Sequence, residues 1–266
     1  MLGKSLKYDL KALSRYLLLL HAFAIFFTLA GRLFLPRDIN WDNPSIFIPL
    51  YILAMTLILV TVSSATYIII GVHFYRNLFS RHGYLTWTLP VSSAQHLLSK
   101  FIAGFIWAAL DFLIMIGCAL IFISAIPVSF QEVSSAFEQE LGMSLTVFSG
   151  VILVVGLFGC IYSLLSIYVS ISIGQLFSSH RVLAALITYG ATYMIMQFIS
   201  STVIFLAPNG MMSYLRAGSD PAALSANIIK EQYTSMMILA AAISIIFAIV
   251  CYIITHIIMK KKLNLM

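Results

Sequence analysis

Six long apolar runs divide the chain, at about residues 17–35, 46–72, 101–126, 145–173, 183–207 and 235–258. Each is close to or above the ~20 residues that an α-helix needs to cross a bilayer. The runs are continuous rather than alternating, so they predict helices and not the strands of a membrane barrel. Only 9% of residues are charged and 61% are apolar, with a mean hydropathy of +1.02. A soluble domain carries roughly 25% charged residues. The expected fold class is therefore all-α: a polytopic membrane protein of six transmembrane helices, forming a single membrane domain over 1–266. The first run is not expected to be a signal peptide, because its apolar stretch continues through Phe26 to Leu35 with no Ala-x-Ala cleavage site.

The polar stretches between the runs differ in kind. On a helical projection of residues 1–16, Lys4, Lys7, Lys11 and Arg15 fall within about 80° of one another. Leu2, Leu6, Leu10, Leu13 and Leu17 lie opposite. That pattern predicts an amino-terminal amphipathic helix lying in the interface of an anionic leaflet, with membrane lipid as its partner. Residues 36–45 are short, with Pro36, Trp41 and Pro44, and residues 127–144 are acidic. Residues 208–234 combine the breakers Pro208, Gly210, Gly218 and Pro221 with Met211, Met212, Tyr214 and Leu215, which predicts short helices capping an outer mouth.

Charge sets the expected orientation. If the amino terminus is inside, eleven of the Lys and Arg residues are cytoplasmic: Lys4, Lys7, Lys11, Arg15, Arg76, Arg81, Lys100, Arg181, Lys260, Lys261 and Lys262. Four are outside: Arg32, Arg37, Arg216 and Lys230. The excess places both termini in the cytoplasm. The net charge of +6 follows this topology rather than one exposed face, so no nucleic-acid partner is expected. Cys118, Cys160 and Cys251 lie inside runs without metal-ligand or disulfide spacing, and no metal site is expected. Ser166, Ser170 and Gly174, and Ala240, Ser244 and Ala248, are small residues at four-residue spacing, which marks closely packed helices.

The most elaborate polar stretch is HFYRNLFSRHGYLTWTLPVSSAQHLLSK, residues 73–100. Phe74 with Leu78 and Tyr75 with Phe79 are i, i+4 pairs. Arg76, Asn77, Ser80, Arg81 and His82 fill the remaining positions, and Gly83 ends the pattern. A short amphipathic helix over 74–82 is expected, lying across the end of the second span. Pro90 closes the following extended piece, and Ser92 with Gln95 forms a capping box for a new helix. Two readings stay open on pattern alone: a docking surface for a cytoplasmic partner, or a lipid anchor held by its aromatics.

Inside the spans, Asp111 is the one acid, roughly 16 Å deeper than Lys100 on a helix. A buried acid is a functional candidate; the alternative is a structural clamp bonded to a neighbouring helix. The fifth run repeats Tyr189, Tyr193, Gln197 and Ser201 every fourth residue, with Thr188, Thr192 and Ser200 beside them. That stripe would line a cargo path, join two copies, or bond to neighbouring helices. His21 and His256 read as packing residues. No catalytic residues are expected, since neither His-Glu-x-x-His nor Gly-x-Ser-x-Gly occurs.

The stretch FYRNLFSRHGYLTWTLPVSSAQHLLSKFIAGFIW resembles the first cytoplasmic loop of bacterial ABC-2 permeases, the membrane subunits of ATP-binding-cassette exporters. The likeness rests on the basic aromatic helix, the GYLTWTLPVS run and the Lys100 to Trp107 entry to the next span. It covers about 35 residues closely and extends weakly over the chain through the six spans, the amphipathic start and the long last outer loop. The resemblance implies a coupling helix, Phe74 to His82, seated on an ATPase subunit. It also implies a bacterial plasma-membrane location, a second permease, identical or related, and export of an amphipathic peptide, antibiotic or lipid-like cargo. The chain has no Gly-x-x-x-x-Gly-Lys-Ser/Thr loop, so two copies of a separate ATPase would bind ATP and magnesium, and this chain would hold no cofactor. The alternatives are an ion-coupled secondary transporter using Asp111, or a non-transporting assembly or sensor subunit.

Overall fold

The computed structural model describes residues 2–34, 47–80, 83, 87–88, 92–124, 129–141, 143–177, 179–206 and 226–261. These form seven helices: α1 (Leu2–Phe34), α2 (Phe47–Leu78), α3 (Ser93–Ile123), α4 (Phe130–Leu141), α5 (Leu145–Gly174), α6 (Arg181–Leu206) and α7 (Ala226–Lys261). All but α4 are long and apolar enough to cross a bilayer, which fits a multi-pass membrane protein. There is no strand among the described residues. The packing falls into two units: Met1–Pro127 with His256–Met266, and Val128–Thr255.

The first unit is built on a seam where α1, α2 and α3 pack pairwise. Helix α1 buries Asp9, Leu13, Leu17, His21, Ala24 and Thr28, a stripe at spacings of three and four. Helix α2 contributes Met55, Val62, Thr66, Ile70, Phe74 and Leu78, and α3 contributes Leu97, Lys100, Ala103, Trp107, Asp111 and Cys118. Lipid tails are as apolar as leucine, so close packing and hydrogen bonds hold such helices together. At one contact the Tyr51 ring lies across α1 where a Cβ on Gly31 would stand, and its hydroxyl donates to the Thr28 carbonyl at 3.4 Å.

Two expected boundaries are corrected here. The interfacial helix over 1–16 is not separate from the first span, because α1 runs unbroken from Leu2 to Phe34. No proline interrupts it, and its buried stripe passes straight through residue 16. Leu13 and Leu17 pack inside the protein rather than against a leaflet, while Lys4, Lys7, Lys11 and Arg15 face outward. At 1.5 Å per residue α1 is about 50 Å long, well beyond the ~30 Å hydrocarbon core. Likewise, Phe74 to Leu78 are the last residues of α2 and not the start of a separate helix. The i+4 series Val62, Thr66, Ile70, Phe74, Leu78 is one continuous buried row.

In the second unit, α4 forms from the acidic segment 127–144. Ser129 and Glu132 cap it reciprocally: the Ser129 N–H donates to Glu132 Oε2 at 2.9 Å, and the Glu132 N–H donates to Ser129 Oγ at 3.2 Å. Hydrogen bonds from the Ser129 backbone N–H and from its side chain hold the Glu132 carboxyl below its usual pKa. Phe137 meets Phe148 of α5 with ring centroids 4.8 Å apart. Helix α5 packs on α6, and the stripe Ser166, Ser170, Gly174 is buried. A Cβ on Gly174 would lie 2.8 Å from the Arg181 carbonyl oxygen and 2.9 Å from the Ala185 nitrogen. The three cysteines are buried free thiols. Residues 36–45 and 207–225 lie outside the described residues, so the expected capping helices of 208–234 are met only at Ala226, where α7 begins.

Candidate functional site

Two polar clusters interrupt the apolar seam of the first unit. The deeper one is centred on Asp111, which is 2% exposed. His21 Nε2 lies 2.8 Å from its Oδ1, and Thr66 Oγ1 lies 3.1 Å from the same oxygen. Ser63 donates to Oδ2 at 2.8 Å. One carboxylate therefore takes bonds from α1 and from both Ser63 and Thr66 of α2. The His21 ring also stacks on Trp107, with centroids 6.2 Å apart and planes 5° from parallel. Asp111 thus clamps three helices, and His21, read from the sequence as a packing residue, is its partner.

The second cluster lies toward the ends of α2 and α3 that carry the 79–92 loop. Asp9, 4% exposed, receives the Lys100 ammonium on Oδ1. His73 Nε2 lies 3.1 Å from that oxygen, and Ser99 donates to Oδ2 at 2.9 Å. Ser99 Oγ is also 3.0 Å from Ser5 Oγ, and the Asn77 amide is 2.9 Å from His73 Nε2. A buried ion pair is tolerated when its remaining lone pairs are also satisfied, and here His73 and Ser99 bond the carboxylate that receives Lys100.

The loop is rooted in the second cluster. Phe74 and Leu78 are fully buried. The Trp87 indole N–H donates to the Leu78 carbonyl at 3.1 Å, closing the end of α2, and its ring packs on His96 with centroids 5.4 Å apart. Gly83 donates its N–H to Ser80 at 2.8 Å and sits so close that a Cβ would lie 2.9 Å from the Leu78 carbonyl. Ser92 caps α3 by accepting from the Gln95 N–H, as its spacing predicts. Of the expected coupling residues, Tyr75, Asn77, Phe79 and Ser80 are half-buried and Arg76 is exposed. Arg81 and His82 lie outside the described residues.

The stripe on the fifth run belongs to the other unit. Tyr189, Tyr193, Gln197 and Ser201 are all exposed on α6, a helix with no buried residue at all. The hydroxyls of Thr188, Thr192, Ser201 and Thr202 return to carbonyls three or four residues earlier on the same helix. A shallow groove of about 680 Å³ runs along Tyr193, Gln197, Phe198 and Ser201.

Sequence reasoning missed Asp9, Ser99, Ser63 and Thr66. The available signal for Asp9 was its place four residues before Leu13, an acid on the leucine face of α1. Among the described residues no group of three or more His, Cys, Asp or Glu could hold a metal ion. No protein-family model, curated protein or solved structure matches the chain.

Proposed function

We infer that this chain is the membrane-spanning permease subunit of an ATP-binding-cassette exporter, with both termini in the cytoplasm of a bacterial cell and the 73–100 loop facing a separate ATPase. The observation that carries the reading is the union of loop and seam. The outward residues Tyr75, Phe79 and Ser80 stand on a root, Phe74 and Leu78, that is fully buried. His73 and Lys100, at the two ends of that loop, grip the same carboxylate on α1. Force applied to this half-buried rim reaches α1, α2 and α3 together instead of dissipating in a flexible tether. The loop's resemblance to ABC-2 permeases and the six apolar helices support the same reading. ATP closure of two partner subunits would move this root and rearrange the spans to release cargo outward. The exposed face of α6 suits contact with a second permease. Phe74 and Leu78, however, support the fold from inside, so only the outward residues are suited to docking.

The test is gentle purification of the full chain from its host, with mass spectrometry of the proteins that accompany it. A stoichiometric polypeptide bearing a phosphate loop is expected. A chain that is reproducibly alone would overturn the reading. In that case the buried His21–Asp111 pair favours an ion-coupled transporter, because ionisable groups at such depth mark ion pathways.

A further inference from the structure

Helices α1 and α2 enclose a groove of about 710 Å³ beside the Asp9 cluster. Three cations line it: Lys11 and Arg15, one turn apart on α1, and Arg76 near the end of α2. None of the three has a carboxylate partner among the described residues. The nearby acid, Asp9, is buried and already holds Lys100, His73 and Ser99. The groove therefore carries uncompensated positive charge. Its α2 wall is polar at His73, Arg76 and Asn77 and apolar beyond them, where Ile68 and Val72 line it and are 64% and 49% exposed. Tyr16, 59% exposed, adds an amphipathic ring of the kind found at headgroup level.

We propose that this groove binds one anionic phospholipid, its phosphate held by Lys11, Arg15 and Arg76 and its acyl chain laid on Ile68 and Val72. Arginine forks match phosphate oxygens in pairs, and basic pockets between spans take anionic headgroups. Apolar wall and cations in one groove fit a lipid; a small soluble anion would leave Ile68 and Val72 uncovered. The inference goes beyond the exporter reading and needs no ATPase. Only the leaflet, the inner one, follows from the orientation proposed above. It also gives the basic face of α1 a specific ligand in place of diffuse attraction, and moves Arg76 from the loop to the groove.

The test uses the full chain in mild detergent, titrated with equal dioleoyl-phosphatidylglycerol and dioleoyl-phosphatidylcholine and weighed by native mass spectrometry. One phosphatidylglycerol should be retained per chain, about tenfold over phosphatidylcholine, from the charge contributed by cations near a lipid phosphate. The combined variant Lys11→Gln, Arg15→Gln, Arg76→Gln should remove that preference, and Arg15→Gln alone should reduce it. Lys4→Gln with Lys7→Gln, exposed cations outside the groove, should leave it unchanged. Equal retention of both lipids would overturn the proposal. So would an equal loss in the Lys4 and Lys7 variant, which would mean diffuse attraction. Displacement of the lipid by millimolar inorganic phosphate would assign the cations to a soluble anion instead.

Discussion

Truncating Asp111 to alanine removes the acceptor shared by three side chains. Thr66 keeps a second bond, to the Val62 carbonyl at 3.0 Å, but Ser63 Oγ loses its acceptor and His21 Nε2 is left with only the 3.4 Å contact to Thr66 Oγ1. In a soluble core each orphan would cost about 1–3 kcal/mol. Between membrane helices a single hydrogen bond averages about 0.6 and reaches about 1.7 kcal/mol, because the unfolded chain in lipid finds other partners. Two lost bonds then predict a loss of about 1–3 kcal/mol. The assay is equilibrium unfolding in mixed micelles of dodecylsulfate and mild detergent, followed by circular dichroism. Running Asp111→Ala, His21→Ala and the double variant gives the coupling directly, and the two single losses should sum to more than the double. Strict additivity, or a loss below about 0.5 kcal/mol for Asp111→Ala, would refute the clamp.

Asp9→Leu should destabilise by about 3–5 kcal/mol, since it removes the carboxylate that balances the buried Lys100 charge, while Asp9→Leu with Lys100→Met should recover much of that loss in the same unfolding assay. Ser92→Ala removes the cap of α3 and should cost about 1 kcal/mol, read as a lower melting temperature. Gly174→Ala drives a methyl into the backbone of α6 and should cost about 1–3 kcal/mol, again by micellar unfolding. The depressed pKa of Glu132 stabilises the start of α4 fully above its ordinary value of 4.5, and that contribution is lost as pH falls through the lowered value. Amide protection at residues 130–134, taken relative to the intrinsic exchange rate at each pH, should therefore fall on acidification in the native chain, and a Glu132→Gln variant should show no such step.

The spans were legible because twenty-odd continuous apolar residues admit no other element in lipid. The Ser92 cap was legible because its signal is local, three residues long. Asp111 was recognisable as a buried acid, but its partners were not: His21 is 90 residues away and Ser63 is 48, and no local pattern pairs them. Asp9 was hidden by its neighbours, since Lys4, Lys7, Lys11 and Arg15 made the segment read as a basic surface helix. Asp9, Leu13, Leu17 and His21 nevertheless repeat every four residues across the expected boundary at 16. A stripe that keeps its phase through a boundary marks one helix, and that rule also joins Phe74 and Leu78 to α2. Composition favoured a break where packing imposed continuity.

The ATPase contact proposed for the outward residues of the loop is tested by site-specific photo-cross-linking in native membranes, with benzoylphenylalanine placed at Phe79, Ser80 or the exposed control Lys4. Phe79 and Ser80 are expected to capture a polypeptide bearing a phosphate loop, and Lys4 is not. If Phe79 and Ser80 capture only lipid, or Lys4 captures the same polypeptide equally well, the loop is not the ATPase contact and the permease reading fails.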